Sequence, residues 1–366
     1  MNPLPRYAYL SPHRQERQAE LTRQGVYDLM PSELFWQSQQ QFLKERGYVL
    51  RRRYLPGWHP SWVGTNLDPT YCEDSIQLNK YNVIDATDIH NNHRVSIKHT
   101  RRDTEEIEIG RFLASIHDSR NHTVSLLEVM DDTQEPGMCF LVMPYLRPFN
   151  DPDFEAVGEV VDFVIQTLEG LAFMHKHRVA HRDVAAANTM MDGRALYPNG
   201  HHPVRRKFSE DAVYELTPLS RLEHPVRYFF IDFGISVRFA EGARPDAIGI
   251  KGRCKEAPEM SFDVPYDAFK VDVFALGTLY LKEFIEVYHG LEFLQPLVDA
   301  MTQPDPAKRL TAVESMTLLN SIRSQQTSVF LRWRLRSRTE TTSERVVYDT
   351  VAVAREGLYH LKRLVA

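Results

Sequence analysis

Residues 181–188 read His-Arg-Asp-Val-Ala-Ala-Ala-Asn, a stretch that sets a carboxylate and an amide five positions apart. In phosphoryl transfer a protein does little covalent chemistry, because its main tasks are to position the nucleophile and to neutralise charge with metal ions. The Asp183 carboxylate can accept the proton of an attacking hydroxyl, and the Asn188 amide can hold a magnesium ion nearby. The stretch therefore indicates a phosphate-handling loop if related motifs accompany it.

Four such motifs follow in order along the chain. They are Asp232-Phe233-Gly234, Ala257-Pro258-Glu259, the DVFALG run of residues 272–277 and the DPAKR run of residues 305–309. Together with residues 181–188, these motifs resemble those of a eukaryotic-type protein kinase domain. The resemblance implies that Asp232 is a metal ligand and that Asp272 fixes the backbone of the 181–188 loop. It also implies an ion pair between Arg309 and Glu259.

The resemblance extends upstream to a nucleotide-binding region. Val95-Ser96-Ile97-Lys98 is similar to the third strand of the kinase small lobe, in which the lysine contacts the α- and β-phosphates of ATP. Pro144 has no N–H, but its carbonyl can still accept a hydrogen bond from the adenine amino group. The residues that the resemblance assigns to nucleotide binding are Val83, Ser96, Lys98, Met143, Pro144, Leu146 and Met190.

A helix is predicted after this strand, because the apolar residues at 109, 112, 113 and 116 follow helical spacing. In a kinase this helix supplies a glutamate that pairs with the lysine. Glu106 fits that place best, with Glu105 and Glu108 as alternatives. The implied catalytic residues are Asp183, Lys98, Glu106 and Arg182, and the implied ligands of Mg²⁺ or Mn²⁺ are Asn188 and Asp232, with ATP as the phosphoryl donor.

Two departures from the kinase pattern keep a second function class open. By register, the glycine-rich loop would be residues 76–83, which contain no glycine, although glycines let the backbone approach phosphates closely. Ala185 and Ala187 stand where kinases carry a cation that neutralises the transferred phosphoryl group, and Arg253 or Lys255 could replace it. A pseudokinase, which binds nucleotide or acts as a scaffold, is therefore the alternative.

A third class is a small-molecule phosphotransferase with a kinase-like core. Such enzymes usually lack the Ala-Pro-Glu segment and its arginine partner, so Glu259 and Arg309 disfavour it. A protein kinase acting on a protein hydroxyl, Ser or Thr rather than Tyr, is the leading expectation, and its substrate is not identified.

The segment between Gly234 and Ala257 has one hydroxyl residue, Ser236. In kinases the arginine that precedes the catalytic aspartate, here Arg182, often pairs with a phosphate in the middle of this segment. Here Glu241 or Asp246 could take the place of that phosphate, or the segment could need none. We therefore expect a kinase that is not controlled by phosphorylation of this segment.

The expected fold class is α+β, a two-lobed protein-kinase-like fold with a small, mostly β N-lobe and a larger, mostly α C-lobe. The expected parts are an N-terminal extension with one helix (1–70), the N-lobe (71–146), the C-lobe with an insert at about 193–226 (147–325) and a helical tail (326–366). Residues 1–30 are polar and expected to be loosely structured, and the extension's helix should run from Pro31 to about Arg46. The amphipathic segment 344–364 is expected to dock on the catalytic domain, and His201 and His202 to be surface residues.

Composition limits the remaining possibilities. A length of 366 residues accommodates one such domain with extensions, and a net charge of −5 disfavours nucleic-acid binding. No apolar run is long enough to span a membrane or act as a secretion signal. Three cysteines without metal-ligand spacing indicate a reducing compartment, cytoplasmic or nuclear, and we expect a monomer.

A narrower resemblance rests on the insert and on short aromatic and basic motifs. These are Phe35-Trp36, Pro60-Ser61-Trp62, Arg120-Asn121-His122 and Arg147-Pro148-Phe149. With them the chain resembles a kinase-like group expanded in basidiomycete fungi, and this likeness implies no particular substrate.

Overall fold

The computed structural model describes residues 4–78 and 80–365. With 38% helix and 16% strand, the protein is a mixed α and β structure, which agrees with the expected α+β class. The chain divides into two compact units. Unit 1 comprises Met1–Asp103, Leu126–Leu146 and Arg194–Leu219, and unit 2 comprises Thr104–Ser125, Arg147–Gly193 and Ser220–Ala366.

Unit 1 is built on a five-stranded antiparallel sheet with the order β1-β2-β3-β5-β4. Its strands are β1 (Tyr48–Leu50), β2 (Val83–Asp88), β3 (His93–Arg101), β4 (Glu128–Asp131) and β5 (Met138–Pro144), and its helices are α1 (Pro12–Arg23) and α2 (Pro31–Glu45). The strand expected at residues 95–98 is confirmed as part of β3, which pairs with β2. Alternate residues of these strands, such as Ile84 and Ile97, are buried, because successive side chains of a strand point to opposite faces.

Helix α2 covers the buried face of this sheet and confirms the helix predicted from Pro31. Trp36 and Leu43 are fully buried and belong to one apolar cluster with Phe140 of β5. Helix α1 lies in the part expected to be loosely structured. Its sequence is polar and it has no buried residue, so apolar periodicity does not reveal it. A proline in its first turn favours the helical conformation there.

The connection between β1 and β2 differs from the glycine-rich loop expected at residues 76–83. The strand that pairs with β2 is Tyr48–Leu50, so the connection runs from residue 51 to residue 82. It contains three short 3-10 helices, namely Arg52–Tyr54, Pro69–Tyr71 and Glu73–Ser75. Residues 76–82 form only its final part, and Asn79 within them lies outside the described residues. The connection before β2 is therefore long and partly helical, and residues 76–82 are its end.

Unit 2 is mostly helical. Its helices are α3 (Glu105–Ala114), α4 (Val157–Lys176), α5 (Ala268–Tyr280), α6 (Gln295–Met301), α7 (Ala312–Ser324), α8 (Ser328–Arg332) and α9 (Thr342–Val365). Its strands are β6 (Arg147–Pro148), β7 (Val179–Ala180), β8 (Thr189–Asp192), β9 (Arg227–Phe230), β10 (Val237–Arg238), β11 (Asp246–Ala247), β12 (Tyr266–Asp267), β13 (Tyr288–His289) and β14 (Arg336–Ser337). Helix α3 confirms the helix predicted from the apolar spacing of residues 109–116. The loop of residues 181–188 joins β7 to β8, and β8 pairs with β6 and β9.

The insert between β8 and β9 contributes residues 194–219 to unit 1, whereas the sequence places it in the C-lobe. Tyr145 donates a hydrogen bond to the Pro203 carbonyl (2.8 Å), and Arg94 forms an ion pair with Glu210 (3.0 Å). These contacts with β3 and with the end of β5 explain the grouping.

The expectation that His201 and His202 lie on the surface is wrong. Their exposed fractions are 6% and 0%. The His202 Nδ1 atom accepts hydrogen bonds from the backbone N–H groups of Val204 and Arg205, and its Nε2 lies 3.4 Å from Glu73. Burial lowers the pKa of His202 below its ordinary value. The ring is therefore a buried, neutral histidine whose Nδ1 accepts and whose Nε2–H faces Glu73.

The C-terminal tail docks in part. The Val157 N–H at the start of α4 donates to the Trp333 carbonyl (3.0 Å), and the Leu335 N–H donates to Glu155 (2.8 Å). Helix α9 is tied by Arg334 to Asp349, yet Val346 and Val353 are more than half exposed. The docking expected for segment 344–364 therefore does not bury these valines. Within the described residues, no helix combines the length and apolar character that crossing a membrane requires.

Candidate functional site

One face of the unit 1 sheet gathers the residues that the sequence assigns to the nucleotide. Val83 is directly opposite Lys98, and Ser96 is directly opposite Met143. Opposed residues share a face, and so do residues two apart in a strand, so these four side chains lie on one face. All four are half-buried, whereas the alternate residues pack into the core with α2. Pro144 ends β5 and Leu146 follows it, both half-buried.

The same face of β2 carries Asp85, which the sequence analysis does not single out. Its carboxylate accepts a hydrogen bond from Arg51 Nε (3.2 Å), and Arg51 Nη1 also donates to Glu73 (3.0 Å). Glu73 in turn faces His202 of the insert. The four side chains form a polar network, here called the Arg51 network, beside the position of Ser96.

In unit 2, the loop of residues 181–188 is fixed by Asp272 of α5. The two oxygens of this fully buried carboxylate accept the backbone N–H groups of His181 (2.8 Å) and Arg182 (2.7 Å). This confirms the contact that the kinase resemblance implies for Asp272. Arg182 has a positive φ of 64°, a conformation that costs a non-glycine residue free energy and is found more often at functional sites.

Asp183 and Asn188 are brought together by direct hydrogen bonds. Asn188 Nδ2 donates to Asp183 Oδ2 (2.7 Å) and to the Asp183 carbonyl (2.9 Å). Both contacts use the amide nitrogen, so the amide oxygen Oδ1 is left for another partner. Among the described residues, no hydrogen-bond donor contacts this oxygen. An oriented carboxylate and an available amide oxygen thus lie side by side.

Asp232 is held next to this loop through the residue before it. The Ile231 N–H donates to the Asn188 carbonyl (3.0 Å), and the Ile231 carbonyl accepts a hydrogen bond from His181 Nε2 (3.1 Å). Because His181 Nδ1 accepts the Asp183 N–H, the ring is neutral with its proton on Nε2. Burial lowers the pKa of His181, which agrees with this state.

The glutamate predicted on α3 lies close to Asp232. Glu106 is buried, whereas the alternatives Glu105 and Glu108 are exposed. A β-carbon added to Gly234 would lie 3.4 Å from Asp232 Oδ1 and 3.8 Å from Glu106 Oε2. The structure therefore favours Glu106 among the three candidates and sets two carboxylates of unit 2 on the same side of Gly234.

The segment after Gly234 supplies backbone carbonyls that accept hydrogen bonds from the Arg182 guanidinium. Its nitrogens donate to the carbonyls of Ile235 (3.4 Å) and Ile248 (3.2 Å). Ser236 is 3% exposed, and its hydroxyl donates to the His181 carbonyl (2.8 Å). These bonds agree with the expectation that this segment needs no phosphorylation.

Gly252 and the backbone of Arg253 complete the surroundings of Asp183, and the sequence analysis misses this role of both. The Arg253 N–H donates to Asp183 Oδ1 (2.7 Å). Gly252 has a φ of +84°, and a β-carbon there would overlap the Arg182 carbonyl oxygen. A Lys-Gly pair before the Ala-Pro-Glu motif is a turn signal, but only the structure shows which backbone it touches.

The ion pair expected between Arg309 and Glu259 is confirmed. The Arg309 guanidinium is fully buried and contacts both oxygens of the Glu259 carboxylate. The distance from Arg309 Nη2 to Glu259 Oε2 is 3.0 Å. The remaining guanidinium N–H groups donate to the carbonyls of Gln303 and Lys270. This pair ties the Ala-Pro-Glu segment to the region before α7.

Oxygen atoms of Asn188 and Asp232 suit a magnesium ion, which prefers hard oxygen ligands. The unpaired Asn188 Oδ1 described above fits such a role. A second group of possible ligands is found in unit 1 and comprises His99, Asp132 and Glu135. There Asp132 already accepts the N–H groups of Gln134 and Glu135 and contacts His99 Nε2 at 2.9 Å. Local hydrogen bonds account for that group.

Met190 lies on the half-exposed side of β8, where it pairs with Phe229 of β9. The predicted nucleotide-binding residues of β2, β3 and β5 thus lie together in unit 1, and the predicted residues around the 181–188 loop lie together in unit 2. A search of known protein families returns no family model that matches this chain.

Proposed function

We propose that this protein is an ATP-dependent protein kinase, in which unit 1 corresponds to the small lobe and unit 2 to the large lobe of a kinase-like fold. In the proposed reaction the bond between the γ-phosphorus and the bridging oxygen of ATP breaks. A bond forms between that phosphorus and a substrate hydroxyl oxygen, and ADP leaves. The hydroxyl proton passes to Asp183.

The arrangement of Asp183 carries this proposal. Its carboxylate is oriented by the Asn188 amide and the Arg253 N–H, on a loop whose backbone is fixed by Asp272. A general base must be held in one orientation to take a proton, and such positioning lowers the barrier to phosphoryl transfer.

The remaining residues are assigned by their chemistry. Lys98 would contact the phosphates, while Val83, Ser96, Met143, Pro144, Leu146 and Met190 would bind the adenosine moiety. Asn188 and Asp232 would hold Mg²⁺, which neutralises phosphate charge when bound. Arg253 is an exposed residue whose N–H contacts Asp183, and its guanidinium is a candidate for the cation missing at Ala185.

A pseudokinase is the second candidate, and one observation favours it. The Arg51 network lies on the same face of β2 as Val83, so a buried ion pair occupies part of the face assigned to the nucleotide. Arg51 and Asp85 side chains are only 10% and 7% exposed, which leaves little room for rearrangement. A chain in which this network excludes ATP would keep the fold without the reaction.

The test of catalysis is transfer of radiolabelled phosphate from ATP to a mixed protein substrate, with Asp183→Asn as the matched control. Asparagine has the same size and keeps one of the two acceptor oxygens, but it is not a base. We expect the rate to fall by about a hundredfold or more, which is the usual contribution of general base catalysis. Equal incorporation by the two proteins would contradict the role of Asp183.

The test of nucleotide binding is thermal unfolding with and without ATP and a divalent metal. Binding to the native state alone stabilises it by RT ln(1 + [L]/Kd), so ATP at ten times Kd should add about 1.4 kcal/mol. We expect this shift only when Mg²⁺ or Mn²⁺ is present. Stabilisation without phosphoryl transfer would identify a nucleotide-binding pseudokinase, and no stabilisation at millimolar ATP would eliminate both nucleotide-dependent functions.

A further inference from the structure

Residues 76–82, here called the 76–82 segment, lead into β2 and contain no glycine, yet three side chains from outside the segment form hydrogen bonds with its described backbone. The Leu78 N–H donates to Glu33 Oε1 (3.2 Å), and Trp36 Nε1 donates to the Tyr81 carbonyl (3.0 Å). Arg51 Nη1 donates to the Ile76 carbonyl (3.3 Å). Two of these three anchors come from one helix, α2.

Glu33 is itself held rigidly. It is fully buried and forms two hydrogen bonds with the guanidinium of Arg53, at 2.8 and 2.9 Å, and a third with the Tyr54 hydroxyl (3.2 Å). Burial alone would raise the pKa of this carboxyl, but the hydrogen bonds from Arg53 and from the Met30 N–H outweigh burial and lower it. Glu33 is thus a fixed anion that accepts the Leu78 N–H.

Trp36 is equally constrained. Its ring is fully buried and packs against Phe35 (5.1 Å between ring centroids) and Phe140 of β5 (6.0 Å). The indole N–H is the ring's single donor, and it is used on Tyr81, whose side chain is 76% exposed. The backbone at residue 81 is therefore fixed from the core while its side chain points into solvent.

The 76–82 segment ends at Val83, which is directly opposite Lys98. A displacement of its backbone would therefore move the strand that carries Val83. Glycine-rich loops reach phosphates because glycine permits close approach, and this segment lacks that freedom. Its position depends instead on hydrogen bonds from outside the segment.

We propose that helix α2 is a positioning element for nucleotide binding, with Trp36 and Glu33 as the residues that fix the 76–82 segment. This inference rests on the proposed function, because it assigns the N-terminal extension to the ATP site. Neither residue contacts the reacting atoms, and each acts through the backbone that it holds.

The test uses Trp36→Phe in the full chain, which deletes the N–H donor and keeps an aromatic ring. The matched control is Trp62→Phe, because Trp62 is also buried in unit 1 and its Nε1 donates to Thr22 (3.0 Å), away from the 76–82 segment. Hydrogen–deuterium exchange is measured on peptides covering residues 76–82, and steady-state kinetics are measured with varied ATP.

We expect Trp36→Phe to speed exchange in residues 76–82 and to raise KM for ATP by about fivefold to tenfold, as loss of one hydrogen bond would. The turnover number should change by less than about twofold, because the bond positions the nucleotide and not the reacting groups. Trp62→Phe should change neither readout. Glu33→Gln, which keeps an acceptor but removes the charge, should shift both readouts in the same direction by less.

Unchanged exchange and unchanged KM in both α2 variants would overturn the role of this helix. A purely structural role would lower stability equally in the Trp36 and Trp62 variants and leave KM alone, which would also overturn it. Faster exchange together with no ATP binding by the wild-type protein would instead count against the proposed kinase function and leave the anchoring of the segment intact.

Discussion

Gly252 shows how much one residue contributes to the surroundings of Asp183. Its φ of +84° lies in the left-handed region, and no side-chain atom fits between it and the Arg182 carbonyl oxygen. The contact is with backbone, so it cannot be relieved by turning a flexible side chain. The close approach is also what brings the Arg253 N–H to Asp183.

We expect Gly252→Ala to lower phosphoryl transfer by at least tenfold, because the segment must move and the Arg253 N–H then leaves Asp183. Gly242→Ala is the matched control. Gly242 also has a positive φ, 74°, but an added β-carbon would meet nothing within 4 Å. Both variants should lose about 1–2 kcal/mol of stability from left-handed strain alone.

We would compare the phosphoryl-transfer rates and the unfolding free energies of the two alanine variants. The comparison separates the effect of backbone strain from the effect of the contact between residue 252 and the Arg182 carbonyl. If Gly252→Ala and Gly242→Ala retained the same activity and the same stability, the close approach of residue 252 to the 181–188 loop would not contribute to function.

Arg309 is the residue whose loss should be most harmful to unit 2. Removing one partner of a buried ion pair leaves an uncompensated charge, which typically costs about 3–5 kcal/mol. We expect Arg309→Ala to produce insoluble or strongly destabilised protein. Arg338→Ala is the control, since that side chain is 38% exposed and should cost less than about 1 kcal/mol. Equal urea midpoints for the two variants would contradict the structural role of the Arg309–Glu259 pair.

At the scale of elements, the insert makes stability depend on pH through His202. Burial lowers the pKa of His202 below 6.5, so the folded protein keeps the ring neutral while the unfolded chain takes up a proton as the pH falls below 6.5. The stabilising effect of a neutral His202 is therefore lost with acidification. One proton changes the free energy of unfolding by up to about 1.4 kcal/mol per pH unit.

We expect His202→Gln to flatten the decline of unfolding free energy between about pH 6.5 and pH 5, measured by urea titration at each pH. His93→Gln, at an exposed position, should leave the slope of the wild-type protein unchanged. Other buried histidines, such as His181, keep part of the slope in both variants. A steeper slope in His202→Gln would contradict the neutral state assigned to the ring.

Several elements could be predicted from the sequence because their signals are local. The likeness of residues 95–98 to a kinase strand predicts β3, and apolar spacing predicts α3. Glu106 could be preferred over its neighbours because its offset from the apolar residues of α3 decides its burial. These signals depend only on residues a few positions apart.

The features that the sequence does not reveal depend on contacts between distant residues. The β1–β2 connection is defined by the pairing of Leu50 with Ala86. The burial of His202 depends on Glu73, which is far away in the chain. Pattern and propensity carry no information on such partners, and the hydrogen bonds of the 76–82 segment to α2 belong to the same class.

At the scale of the whole molecule, the two units differ in how the chain builds them. Unit 1 is built from three separate stretches of the chain and consists mainly of an antiparallel sheet covered by α2. Unit 2 is mostly helical. Both contain sequence-predicted functional residues, so the proposed reaction requires both to be folded. Destabilising either unit should therefore abolish phosphoryl transfer.

The third stretch of unit 1 has a consequence for the synthesis of the protein. Arg94, Glu73 and Tyr145 each contact the insert, and those partners lie between residues 194 and 219. On the ribosome, the first 146 residues emerge without these partners, and much of the sequence of unit 2 is translated before the partners appear. The N-terminal unit therefore completes its folding late, and a fragment ending at residue 146 would expose an unfinished surface to chaperones and proteases.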